Sequence, residues 1–332
     1  MGGDVKRKVL ELLKSYQGKS IPQSFIHRIL GVSKSTVSEV LSELEKEGLI
    51  SRTIIGRVKI VNIYPFISET QLEYAVKKLT LGLVFSSEYM FLGGFIKRLR
   101  RKGVSIDILV YRDGLEATRA LASGWIDLVL SPLVGQLYIY PLYRTYRVIA
   151  TGLRGGFSVL GSIDDEEIYS SLISTMDYVR SYLIRKKMIK AEKTIYYNDP
   201  MKVITALKRK GIIVTWHPIY LKLERIGLKT IYTHKDIDIG FCCTLAASTS
   251  VGEKMLNNII KAYTESIEDY KKNPGKNLVY YSSITGIDIS TLKSAISEYS
   301  IAESLDKNLV NRVARELKVS VPSENIYTGA YE

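Results

Sequence analysis

The chain has 332 residues, 46% of them hydrophobic and 24% charged, with a formal net charge of +13. Such a balance suits a globular protein of two or three domains and excludes disordered, collagen-like and disulfide-stapled chains. No apolar run reaches the roughly 18 to 20 residues that span a bilayer, and the opening MGGDVKRKVL lacks a signal peptide's apolar core, so a cytoplasmic protein with no membrane partner is expected.

Residues 1–66 hold eleven Lys and Arg against six Asp and Glu, which makes this segment the place to seek a polyanion-binding surface. Val9, Leu10, Leu12 and Leu13 predict a first helix, broken at 17–20. Pro22 suits the first position of a second helix, which turns Phe25, Ile26, Ile29 and Leu30 inward and ends at Gly31. Ser33 can cap a third helix with Val37, Val40, Leu41 and Leu44 at spacings of three and four. Two β-rich runs, 49–55 and 58–63, hinge at Gly56-Arg57 and predict a hairpin.

In this order of elements, the stretch ILGVSKSTVSEVLSELEKEGLISR closely resembles the winged helix-turn-helix family. The resemblance implies a reader of double-stranded DNA whose third helix enters the major groove. Ser33, Lys34, Ser35, Thr36 and Ser38 then form the leading face, and Arg52, Arg57 and Lys59 on the hairpin neutralise phosphates. The third helix carries no Arg or Asn, the usual bidentate partners of guanine and adenine, so no target sequence can be read from it. The alternative is a small helical subdomain for protein contacts.

Over 67–79, Ser68 can cap a linker helix with Leu72, Ala75, Val76 and Leu79 on one stripe. That stripe packs on its own chain or pairs with its twin; the second option predicts a homodimer.

Beyond it, strands over 81–85, 106–111 and 126–130 alternate with helices over 90–102 and 114–122, a β-α-β-α-β order that predicts a parallel sheet with ligands at the strands' carboxyl ends. Ser86, Ser87, Ser131 and Pro132 fall at those ends. Trp125 is expected to pack, Asp127 to bond backbone amides, and the acidic run 164–167 to open a helix facing solvent.

The run LGLVFSSEYMFLGGFIKRLRRKGVSIDILVYRDGLEATRALASGWIDLVLSP resembles the first lobe of type 2 periplasmic-binding-protein domains. SLISTMDYVRSYLIRKKMI and PMKVITALKRKGIIVTWHPIYLKLERIG resemble helices and a strand of the second lobe, and 256–270 the helix returning to the first. The implied fold is α/β: an N-terminal winged helix followed by a two-lobed periplasmic-binding-protein-like α/β domain. Lobe I covers about 80–155 and 242–332 and lobe II about 156–241, with crossings near 153–161 and 237–244. The resemblance implies a small-molecule effector, expected to be anionic, in the interlobe cleft. Ser174 and Thr175 at a helix start, Arg154 near the hinge and Trp216 join Ser86, Ser87 and Ser131 as candidate ligand contacts. The family's Trp step carries an acidic residue where this chain has His217, and no Gly-rich phosphate cradle accompanies Ser174.

His27, His217 and His234 make no metal-ligand spacing, and neither a Gly-x-Ser-x-Gly motif, a P-loop nor a dinucleotide fingerprint is present. The only cysteines, the neighbours Cys242 and Cys243, read as small core residues. No enzyme, cofactor or metal is therefore expected. The working expectation is a one-component transcription regulator; the alternatives are a repressor with an enzymatic C-terminal domain and a ligand-free DNA-binding or interaction protein.

Overall fold

Two units divide the chain, one up to Ala75 and one from Val76 onward. The computed structural model describes residues 2–16, 20–46, 49–55, 58–63, 77–206, 210–316 and 330. Among these, no helix is long and apolar enough to cross a membrane.

The first unit runs α1 (Gly2–Lys14), β1 (Ser20–Pro22), α2 (Gln23–Leu30), α3 (Lys34–Lys46), β2 (Ile50–Ile55) and β3 (Val58–Ile63). The strands form an antiparallel sheet in the order β1-β3-β2. The three-and-four spacing of Val37, Val40, Leu41 and Leu44 places all four in a core with Val9, Leu13, Ile26, Ile50 and Val61. Burying each such side chain stabilises the unit by about 1.5–3 kcal/mol. Pro22 does not open α2: it is extended, pairs with Ile60 and closes β1, so the helix starts one residue later at Gln23. A three-residue strand is too short to show a period of two in the sequence. Gly31, at φ 63°, ends α2 in the left-handed region that favours glycine.

Of the helix expected over 67–79, residues 67–76 lie outside the described residues. Lys77, Lys78 and Leu79 are strand, because β4 (Lys77–Val84) takes Leu79, Leu81 and Leu83 at a spacing of two.

In the second unit β4 pairs in parallel with both β5 (Val104–Tyr111) and β6 (Leu128–Pro132). The helices Leu92–Arg101 and Gly114–Ala122 make the crossovers. Asp113 caps the latter, its side chain accepting from the Glu116 amide at 2.8 Å. The chain continues through β7 (Tyr146–Thr151) and β8 (Leu153–Gly155) into a second sheet. That sheet holds β9 (Phe157–Leu160), β10 (Glu167–Ser171), β11 (Lys193–Tyr197), β12 (Ile212–Trp216) and β13 (Thr230–Thr233), in the order β11-β10-β12-β9-β13. It returns as β14 (Cys243–Ser248), antiparallel between β6 and β7, so the first sheet reads β5-β4-β6-β14-β7. Finally β15 (Tyr299–Ile301) pairs with β8. The chain thus passes between the two sheets once outward, at 152–157, and once back, at 234–243.

Several local expectations change. The acidic run opens a strand, not a helix: Glu167 begins β10 and ion-pairs with Lys193, while Asp165 accepts from the Gly211 amide at 3.1 Å. Trp125 does not pack and is 82% exposed. Asp127 accepts from the Thr80 amide at 2.7 Å, fastening the start of β6 to β4.

Candidate ligand-binding site

The carboxyl ends of β4 and β6, the two crossings and the start of helix Thr175–Arg185 converge on one cavity of about 30 Å³. Ser86 and Glu88 enter it from the loop after β4, and Pro132 from the end of β6. Cys242 and Cys243 enter from the return crossing, and Tyr299 from the C-terminal segment. The second lobe contributes Ser174, Thr175 and Trp216.

Four predicted contacts therefore meet there. Ser86 Oγ accepts from the Glu88 amide (3.1 Å) and lies 3.4 Å from Tyr299 Oη. Ser174 caps its helix, accepting from the Asp177 amide at 3.2 Å and donating to Ser171 O at 2.9 Å. Thr175 is 2% exposed, and its hydroxyl acts on the Cys242 thiol as a hydrogen-bond partner. Trp216 Nε1 donates to Phe85 O across the lobes at 2.7 Å.

Three others do not line this cavity. Ser131 points to the opposite side of its strand from Pro132, as the pleat requires. It is fully buried, 2.9 Å from Thr118 Oγ1 and 3.0 Å from Gln136 Nε2. Ser87 is buried against the second lobe, its hydroxyl 2.7 Å from His217 Nδ1 and its amide donating to His217 O at 3.1 Å. Arg154 is spent on Asp238 (2.5 Å) and Ser300 (3.2 Å) at the surface, away from the cavity lining. With the Arg112–Asp199 ion pair at 2.8 Å, the Ser87–His217 and Trp216–Phe85 bonds latch the lobes in a closed arrangement.

The electrostatics run against an anionic ligand. None of the described residues lining the cavity is Lys, Arg or His, and Glu88 contributes a carboxyl. Burial raises that carboxyl well above the usual range, and the Cys242 thiol adds to the effect. The hydrogen bond between the two thiols lowers Cys242, whereas burial raises Cys243. Burial also lowers His217 to about 4. Sequence reasoning missed Glu88 and the cysteine pair. The available signals were a carboxylate in the polar loop after the first strand and two thiols where the chain re-enters the first sheet.

In the first unit, Ser33 Oγ accepts from the Thr36 amide (3.1 Å) and lies 2.8 Å from both the Ser35 and Thr36 hydroxyls, which makes it the cap of α3. Ser38 is half-buried and its carbonyl accepts from Ser42 Oγ at 2.8 Å. Lys34 and Lys59 are exposed and share one depression of about 240 Å³ with Gln23, Ser24 and His27. Arg52 is not available to phosphates. Its guanidinium binds Glu45 through Nε (2.9 Å) and a terminal nitrogen (2.7 Å) and also reaches Ser42, holding the Glu45 carboxyl below its usual range. Arg57 lies outside the described residues.

Residues 4–64 match a family described as a domain of unknown function, DUF7343. No curated protein matches the chain. Among solved structures, the chain is similar to the ligand binding component of an ABC-type import system from Staphylococcus aureus with zinc bound. That match has a TM-score of 0.64 at 16% identity and covers 77% of this chain and 96% of that one. It is also similar to the periplasmic aliphatic sulphonate binding protein of Escherichia coli, with a TM-score of 0.62 at 13% identity over 77% and 92% of the two chains. A Candida albicans protein exhibiting the generic periplasmic binding protein fold gives a TM-score of 0.62 at 12% identity, covering 77% and 96%. At such identities the likeness is one of fold: the chain has a mixed α/β, periplasmic-binding-protein-like architecture.

Proposed function

We infer that the protein is a one-component transcription regulator: residues 1–66 act as a winged helix-turn-helix reader of double-stranded DNA, and the second unit senses a small-molecule effector. The observation carrying this reading is the joining, in one chain, of a lobed binding-protein fold to a unit that presents Lys34 and Lys59 on one depression. Neither lysine has an acidic partner among the described residues, so both are free to neutralise phosphates. The Escherichia coli and Staphylococcus aureus neighbours are binding proteins by their descriptions, which supports binding rather than catalysis in the second unit. Ligand-driven closure regulates DNA affinity only if the effector binds the two states unequally, and a homodimer would carry two readers to two half-sites.

The test uses a random-sequence duplex, because phosphate neutralisation does not depend on sequence. Lys34→Ala and Lys59→Ala should each weaken binding and lower the slope of log affinity against log salt by about one. Arg52→Ala, which removes an internal ion pair, should leave that slope unchanged. Unaltered affinity and slope in both lysine variants would remove the first unit from the DNA-binding role.

A further inference from the structure

Resting on the effector-sensing reading of the cleft, we propose that Glu88, Cys242 and Cys243 form a binding site for a thiophilic divalent cation of the zinc class. The donor atoms of all three buried residues lie within 4.8 Å of one another. Cys242 Sγ is 3.3 Å from Glu88 Oε2 and 4.0 Å from Cys243 Sγ. A tetrahedral centre with metal–sulfur bonds of about 2.3 Å and metal–oxygen bonds of about 2.0 Å has S···S and S···O edges of about 3.8 and 3.5 Å. The three side chains therefore already stand near the corners such an ion requires.

The backbone explains how neighbouring cysteines face the same way. Successive residues of a strand point to opposite sides, but Cys242 precedes β14, whose ladder begins with Cys243 opposite Pro132. Outside the ladder the alternation is relaxed, and both thiols line the same cavity. Glu88 is fixed from the other side: Oε1 accepts from the Cys243 amide at 3.2 Å, which leaves Oε2 turned to the thiols.

Charge favours a cation over an anionic ligand in this closed arrangement. A carboxyl and two thiols are gathered where no described lining residue is basic, so their ionised forms have no counter-charge from the lining; a divalent cation supplies one. The volume of about 30 Å³ exceeds the roughly 10–15 Å³ that one water needs. It has room for an ion with a solvent ligand. The Thr175 hydroxyl is buried and reaches the Cys242 thiol from the opposite lobe, which places it beside that fourth ligand. The three metal ligands come from the first lobe and the hydroxyl from the second, so the ion would favour the closed state.

The experiment titrates Co²⁺ into the full chain, stripped with a chelator and kept reduced by a phosphine. The expected result is one equivalent bound, with a near-ultraviolet thiolate-to-cobalt band and visible bands of tetrahedral coordination, all removed by added Zn²⁺. Cys242→Ser/Cys243→Ser should lose the thiolate band. Glu88→Gln should keep it while binding at least about tenfold more weakly, and it carries the test should the double variant fail to fold. No thiolate band in the native chain, or an undiminished band in the folded double variant, would overturn the site. Duplex-DNA binding with and without Zn²⁺ separates the two readings. Stoichiometric metal binding with unchanged DNA affinity sinks metal sensing and leaves the site, whereas DNA binding through Lys34 and Lys59 without metal binding sinks the site and leaves the reader.

Discussion

Replacing Gly156 by Val should destabilise the second unit by about 2–6 kcal/mol. Gly156 has φ 64°, a backbone conformation that costs a non-glycine residue about 1–3 kcal/mol, most heavily a β-branched one. A Cβ there would also overlap the Tyr299 ring, and forcing extra methyls into packed space costs about another 1–3 kcal/mol. The backbone cannot shift to relieve either strain, because it is pinned on both sides. The Gly156 amide donates to Glu298 O at 2.8 Å, and its carbonyl accepts from the His217 amide at 2.8 Å. The same substitution drives Tyr299 toward Ser86, and so into the cavity. The chain's two tryptophans, Trp125 and Trp216, both lie in the second unit, so fluorescence during urea unfolding reports that unit alone. Gly275→Ala, where a Cβ meets nothing closer than 4.0 Å, is the control and should stay within about 0.5 kcal/mol of the native chain. Equal midpoints for Gly156→Val and the native chain would contradict the argument.

What the sequence reveals about this site follows the range of each signal. Ser86 is placed at the cleft because a parallel strand delivers its carboxyl end there, a rule that needs only the strand's end point, whereas Trp216 rests on the resemblance to the binding-protein family's Trp-x-Pro step. Ser174 is legible because a cap is local chemistry, confirmed here by the Asp177 amide three residues on. Ser131 fails on parity: the last residues of β6 are correctly placed along the strand, but whether Ser131 or Pro132 faces the cleft depends on a one-residue phase. Arg154 and Arg52 fail for another reason. Each looks like a free cation until folding brings up a carboxylate, Asp238 from the return crossing and Glu45 from the end of α3. Glu88 is 154 and 155 residues from the two cysteines in sequence, and nothing local to either announces the other. Their meeting is a property of β14 inserting beside β6, which only the topology supplies.

His217 should make the closed arrangement sensitive to acid. It is 1% exposed, its ring lies 2.7 Å from the Ser87 hydroxyl and 5.3 Å from the Tyr220 ring, and burial lowers its pKa from 6.5 to about 4, against the opposing pull of Glu298. Between those values the unfolded chain binds a proton that the folded chain refuses. The stability contributed by neutral His217 is therefore fully present above pH 6.5 and is lost as pH falls toward about 4, to a total of at most about 3 kcal/mol. Glu88 acts with the opposite sign: its raised pKa adds stability at low pH that is lost as pH rises past the ordinary carboxyl range. The native profile is a sum of both, so the informative quantity is a difference between variants. Across pH 5 to 6, unfolding free energies of the native chain should rise by about 1.2 kcal/mol more than those of His217→Gln, a little under the slope of a single proton. Parallel profiles would mean that His217 is protonated in the folded chain, and that the Ser87–His217 contact closing the cleft does not depend on a neutral ring.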